Sequence, residues 1–191
     1  MTPSSIEAAR VFPTMSGFPN HFHRAGCCLA AVLALLGAAG CGKGDPKDAE
    51  LRRKQAEHLL AEADFAVNLR EWTRAEGLLL KAAEVAPDEA EIWVSLGAAR
   101  VLRGDKAQAR TAYEKALSLY ASAASEKSGA PAEPWLRQVH ILALLGREKD
   151  ARVLLEKAAR RLEGNRDVKA FLEGRELDRL LADPAFAKVR L

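Results

Sequence analysis

Cysteine and histidine are the side chains of this sequence best suited to covalent or metal chemistry, and both are scarce. The 191 residues include three cysteines and four histidines. Cys41 stands directly after the only strongly apolar run and directly before a glycine-rich, charged hinge. His58 and His140 lie far apart, and neither has a metal-like spacing to a second ligand. With no phosphate-binding glycine loop or nucleophile elbow, the sequence predicts no catalytic residue, metal site or cofactor.

The apolar run before Cys41 has the three-part pattern of an export signal. Arg24 gives a weakly basic start, and the small and apolar residues from Ala25 to Gly40 follow it. These sixteen residues, at about 1.5 Å each, make a helix of roughly 24 Å, which is shorter than the ~30 Å hydrocarbon core of a bilayer. A permanent membrane span is therefore the weaker interpretation. We assign residues 1–40 to a signal peptide, whose true start could be Met15.

The residues Ala38-Ala39-Gly40-Cys41 resemble a lipobox, the recognition site of the bacterial lipoprotein signal peptidase. This resemblance implies that Cys41 becomes the first residue of the mature chain and carries the lipid. Cysteine usage agrees, because Cys27 and Cys28 would leave with the signal and a single remaining cysteine cannot form an internal disulfide. Residues 41–45 would then be a lipidated cysteine and a flexible leash. The alternatives are an ordinary signal peptide cut near Ala39 and an uncleaved anchor.

After the leash the sequence is helical in pattern, and small residues recur at a regular spacing. Asp45-Pro46 is typical of a helix start, because the aspartate can accept from free amides and the proline already has a helical φ. The spacing is 34 residues and then 42. It relates three sets of two alanines around a larger apolar residue: Ala75, Leu79 and Ala82; Ala109, Tyr113 and Ala116; Ala151, Leu155 and Ala158.

This spacing resembles the tetratricopeptide repeat, a helix-turn-helix unit of 34 residues. The middle unit matches the family pattern at Trp93, Leu96, Gly97, Gly104, Ala109, Tyr113 and Ala116. Arg100 departs from it, because the family prefers an aromatic residue there. The resemblance implies an all-α fold, a short α-solenoid of about three units over residues 46–163. The units are expected at about 56–89, 90–123 and 132–163.

Residues 164–191 carry a different pattern, which we interpret as C-terminal capping helices. Their apolar positions include Leu177, Leu180, Leu181, Phe186 and Val189. About three units is near the minimum for such an array, and its exposed end must be covered. The segment also resembles those that end other tetratricopeptide arrays. A helix that docks a partner is the alternative.

The resemblance further implies a partner-binding groove on the concave face, lined by the first helix of each unit. The candidate residues are Asp64, Val67, Asn68, Val94, Ala98, Val101, Arg137 and His140. This wall is apolar in the middle with an acidic rim, which suits an amphipathic helix or an extended apolar peptide. The lysines and asparagines of the family's carboxylate clamps are largely missing, so no clamp is expected. The C-terminal segment could instead cover some of these positions.

Composition narrows the class of function. With 49% hydrophobic and 29% charged residues, the chain is too apolar to be disordered. The formal net charge of +3 comes without a long block of one sign, so no nucleic-acid partner is expected.

We expect an exported, lipid-anchored scaffold or adaptor in the bacterial cell envelope, with a protein or peptide partner and no small-molecule substrate. Glycine after Cys41 favours the outer membrane, facing the periplasm. The alternatives are an assembly factor, pilotin-like or barrel-assembly-like, for an outer-membrane or pilus complex, and a self-associating structural lipoprotein.

Overall fold

A computed structural model describes residues 46–125 and 131–191, and within these ranges the chain forms nine α-helices and no strand. The helices are α1 (Pro46–Asn68), α2 (Trp72–Val85), α3 (Ala90–Arg103), α4 (Lys106–Ser125), α5 (Glu133–Leu144), α6 (Glu148–Arg161), α7 (Arg166–Glu173), α8 (Glu176–Ala182) and α9 (Pro184–Ala187). The predicted signal peptide, Cys41 and the leash lie outside the described residues.

The first six helices pack in chain order. The helices α1 and α2, α3 and α4, and α5 and α6 form three helix-turn-helix pairs, and the second helix of each pair contacts the first helix of the next. The predicted all-α, solenoid-like fold is therefore confirmed. The helix α4 has 20 residues where α2 and α6 have 14, and this extension accounts for part of the longer second spacing in the sequence.

The turns within the three pairs share one backbone geometry. Gly104 and Gly146 adopt φ values of 98° and 71°, and Arg70 adopts 61° at the equivalent place. At each turn the amide of this residue donates to the carbonyl three residues earlier, and the next amide donates to the carbonyl five residues before it. These two bonds are those of a Schellman motif, which closes a helix through a left-handed residue. The three turns are separated by the same 34 and 42 residues as the sequence pattern.

The α3–α4 pair is closely packed around Gly97. A Cβ atom on Gly97 would lie 2.9 Å from Cζ of Tyr113 and nearer still to two other carbons of that ring. The ring is fully buried, so a methyl group on residue 97 would require the ring or the backbone to shift. Glycine is therefore required here because the aromatic ring occupies the place of its side chain.

Arg100, the departure from the repeat pattern, has a partner that the sequence did not reveal. Its Nε atom donates to Oε1 of Glu76 on α2 at 2.9 Å, and Arg103 contacts the same carboxylate. The Arg100 and Glu76 side chains are only 12% and 8% exposed. A buried charge is tolerated when it is paired in this way. In the part of the chain that the structure describes, no buried side-chain nitrogen or oxygen lacks a hydrogen-bond partner.

The last three helices fold back onto the array. The Asn165 side chain caps α7 by accepting from the amides of Asp167 and Val168. The helices α8 and α9 bring Leu177 and Phe186 into the largest hydrophobic cluster, which also contains residues of α3, α4 and α5. The C-terminal segment is therefore part of the core and not a separate appendage.

Candidate functional site

Three of the predicted groove residues lie in the core. Val94, Ala98 and Val101 on α3 are 6%, 2% and 9% exposed. They belong to the same hydrophobic cluster as Phe186 and Val189 of the C-terminal segment. In the folded chain this part of the predicted wall is therefore buried. This is the outcome that the sequence allowed for, in which the C-terminal segment covers some groove positions.

Residues 183–191, which we call the tail, make specific contacts with α4 and α5. The Tyr113 hydroxyl donates to the carbonyl of Val189 at 2.8 Å, and the amide of Leu191 donates to the carbonyl of Leu144 at 2.9 Å. The Phe186 ring meets the His140 ring edge-on, with centroids 5.4 Å apart and an interplanar angle of 86°. Phe186 and Val189 are 5% and 2% exposed. The tail is thus held by two hydrogen bonds, a ring contact and apolar burial.

The environment of His140 keeps its imidazole neutral at physiological pH. Burial, and to a smaller extent the nearby Arg137 guanidinium, together lower the pKa of His140 from 6.5 to about 4. A neutral imidazole beside an aromatic edge acts as a packing group here. Burial likewise raises the pKa of Tyr113, so its hydroxyl stays protonated and donates to the tail.

The remaining part of the concave face is accessible and acidic. Tyr120 on α4 donates to Oε2 of Glu91 at 3.1 Å, and Nη1 of Arg137 lies 3.6 Å from the same oxygen. The Nε atom of Arg137 also donates to Glu133 at 3.3 Å. Partial burial and the Glu91 charge raise the pKa of Asp64. We call Asp64, Glu91, Glu133 and Arg137 the acidic rim. Glu91 and Glu133 pair with the Arg137 guanidinium, and Asp64 lies close enough to Glu91 for the Glu91 charge to affect its pKa.

Two further predicted groove residues lie at the end of α1, where Val67 is half-buried and Asn68 is exposed. The structure therefore keeps Asp64, Val67, Asn68 and Arg137 accessible to different degrees. Tyr120 was missed, because the repeat pattern assigns the concave wall to first helices and Tyr120 lies on a second helix. The length of α4 beyond the 34-residue pattern was the available signal.

A second surface was also missed. Leu51 and Phe65 on α1, and Leu69 directly after it, are 66%, 60% and 52% exposed. At helical spacing Leu51 and Phe65 lie on one side of α1, away from Ala56 and Ala63, which pack into the core. Large apolar side chains grouped on one exposed face often mark an interaction site.

Between residues 46 and 125 and between 131 and 191, no group of three or more His, Cys, Asp or Glu side chains is placed to hold a metal ion. No helix in these ranges combines the length and the apolar character needed to cross a membrane.

In the described residues the chain is a short α-solenoid of three helix pairs, onto which the tail packs. No protein-family model matches the chain, and no curated protein matches it significantly in sequence. The function is therefore inferred from the residues described above.

Proposed function

We propose that this protein is a non-enzymatic scaffold of the tetratricopeptide type that binds a protein or peptide partner in the bacterial cell envelope. The observation that carries the proposal is the repeated turn geometry at Arg70, Gly104 and Gly146, which follows the 34- and 42-residue spacing of the sequence. The close contact between Gly97 and Tyr113 supports it, since both residues belong to the repeat pattern. A stack of such units buries its core between neighbours and presents an extended concave surface.

Attachment to the outer membrane through Cys41 is the second part of the proposal, and it rests on the lipobox resemblance. Gly42 to Asp45 separate Cys41 from the start of α1. Four residues span at most about 14 Å, so the array would stay near the bilayer and face the periplasm. Two or more acyl chains would make this attachment stable.

The chemistry of the accessible concave face indicates the kind of partner. Asp64, Glu91 and Glu133 outnumber Arg137, so the acidic rim favours a basic or amphipathic segment. Val67 adds apolar surface beside this rim.

The test is co-purification of the partner from detergent-solubilised membranes. The informative variant is Asp64→Lys with Asn68→Lys, because both residues are exposed and one helical turn apart. Its matched control is Glu114→Lys with Ser118→Lys, which makes the same charge change on the exposed side of α4. We expect a partner recovered with the wild type and the control, and lost with the Asp64 variant. Equal recovery with both variants, or no recovery with the wild type, would count against the proposal.

The lipid anchor is tested separately by mass spectrometry of the protein from membranes. We expect the mature chain to start at Cys41 with acyl modification, and Cys41→Ser to remain unprocessed. An unmodified cysteine would contradict the anchor and leave the scaffold proposal standing.

Self-association is a second candidate function, favoured by the exposed apolar side chains of α1. A second copy could cover Leu51, Phe65 and Leu69 by helix packing. Light scattering on the full chain in detergent should then give a dimer, and Phe65→Lys with Leu69→Lys should give a monomer. A monomer at every concentration would remove this candidate.

A further inference from the structure

The tail contacts the wall formed by α4 and α5, which includes the predicted groove residue His140, in the manner of a bound peptide. Both of its hydrogen bonds to the array use tail backbone atoms, the carbonyl of Val189 and the amide of Leu191. Any peptide can supply such atoms. Selectivity comes instead from Phe186, which meets His140, and from Val189, which is buried three residues later. The wall therefore selects for an aromatic side chain and a branched aliphatic side chain three positions later.

The segment that joins the tail to the array has few stabilising interactions of its own, so the tail can detach from the wall. The helices α8 and α9 have seven and four residues, which is too short for helices that are stable alone. Arg175, just before α8, adopts φ 51°, a left-handed conformation that disfavours residues other than glycine. The ion pair between Arg152 and Asp178 is 48% and 37% exposed, and exposed pairs contribute little. Burial of Phe186 and Val189 is thus the main force that keeps the tail in place.

We propose that the tail is an internal ligand of the concave face, and that a partner binds by supplying a similar peptide in its place. The peptide has an aromatic residue followed three positions later by a branched aliphatic one, on a helical turn. This inference rests on the proposed function, since it assigns the concave face to protein binding. The apparent affinity for a partner is then reduced by the fraction of molecules in which the tail is bound.

The test uses a fluorescein-labelled peptide with the sequence of residues 183–191, DPAFAKVRL, and fluorescence anisotropy with the full chain. Phe186→Ala weakens the binding of the protein's own tail to the wall and leaves the residues of the wall unchanged. We expect this variant to bind the labelled peptide about tenfold or more tighter than the wild type does. Leu172→Ala is the matched control, because Leu172 is a 41% exposed residue of α7 outside the tail, and it should behave as the wild type.

A folded Phe186→Ala protein that fails to bind the peptide would overturn the proposal. So would equal binding of a peptide that carries alanine in place of its own phenylalanine. A second measurement needs no substitution, which matters if Phe186→Ala does not fold. In hydrogen exchange of the wild-type chain, the amides of Val189 and Leu191 should exchange faster than the core amides of α3. Exchange at the same slow rate as α3 would show that the tail opens only on global unfolding, which also refutes the proposal.

The two proposals fail in different ways. If the labelled peptide does not bind but the partner still co-purifies through Asp64 and Asn68, the tail is a permanent cap and the scaffold function stands. If the peptide binds but no partner is recovered from membranes, the concave wall recognises peptides and the envelope function is refuted.

Discussion

The burial of His140 against the tail predicts that the protein loses stability on acidification. In the folded chain the pKa of His140 is lowered from 6.5 to about 4, mainly by burial. The unfolded chain therefore binds a proton at pH values where the folded chain does not. The sign follows directly: the stabilisation is fully present above pH 6.5 and is lost as the pH falls towards 4. The full difference corresponds to roughly 3 kcal/mol.

The assay is chemical denaturation followed by tryptophan fluorescence at about pH 7.5 and about pH 4.5. Between these two values the free energy of unfolding should fall by about 2 to 3 kcal/mol from His140 alone. His140→Gln removes the titrating group and should remove that part of the pH dependence. His58→Gln is the control, because the His58 side chain is 74% exposed and this variant should keep the wild-type profile. An identical pH profile for His140→Gln and the wild type would refute the reasoning.

The remaining predictions concern packing, paired charge and backbone strain. Gly97→Ala should lower the free energy of unfolding by about 1 to 3 kcal/mol, because its methyl group meets a buried ring. Gly77→Ala, whose added methyl has no atom within 4 Å, should stabilise α2 by about 0.5 to 1 kcal/mol. A melting temperature equal to that of the wild type would contradict the prediction for either glycine variant. Arg100→Leu should cost about 1 to 3 kcal/mol, since Glu76 keeps its contact with Arg103. Glu76→Leu in the same chain should restore part of that loss in a double-mutant cycle, and no restoration would rule out the pairing. Arg70→Gly should raise stability by about 1 kcal/mol by relieving its positive φ, whereas an unchanged denaturation midpoint would argue against strain.

The helical pairs could be predicted because their determinants are local. Ala75, Ala109 and Ala151, which the sequence pattern placed at equivalent positions, are each 0% exposed. Gly104 and Gly146 adopt the left-handed conformation that ends the first helix of a pair. The first pair was harder to recognise, because Arg70 takes the same conformation without the glycine that usually signals it.

The closure of the concave face could not be predicted from the same pattern. Helical periodicity identifies the side of α3 that carries Val94, Ala98 and Val101, but it does not identify what packs on that side. The answer depends on contacts between distant residues, such as Tyr113 and Val189, which are 76 positions apart. The pairing of Glu76 with Arg100, 24 positions apart, was hidden for the same reason. Each partner alone is typical of a solvated helix face.

Two of the three carboxylates in the acidic rim also stabilise the helix that carries them, and the third does not. Glu91 and Glu133 lie in the first turns of α3 and α5, where a carboxylate is stabilised by the free amides and the helix dipole. Their presence is therefore explained by helix stability alone. Asp64 lies far inside α1, and partial burial and the Glu91 charge raise its pKa, so its ionised form opposes folding at neutral pH. Neither capping nor the helix dipole accounts for Asp64, which is exposed on α1 and is the carboxylate of the rim that the proposed co-purification test changes.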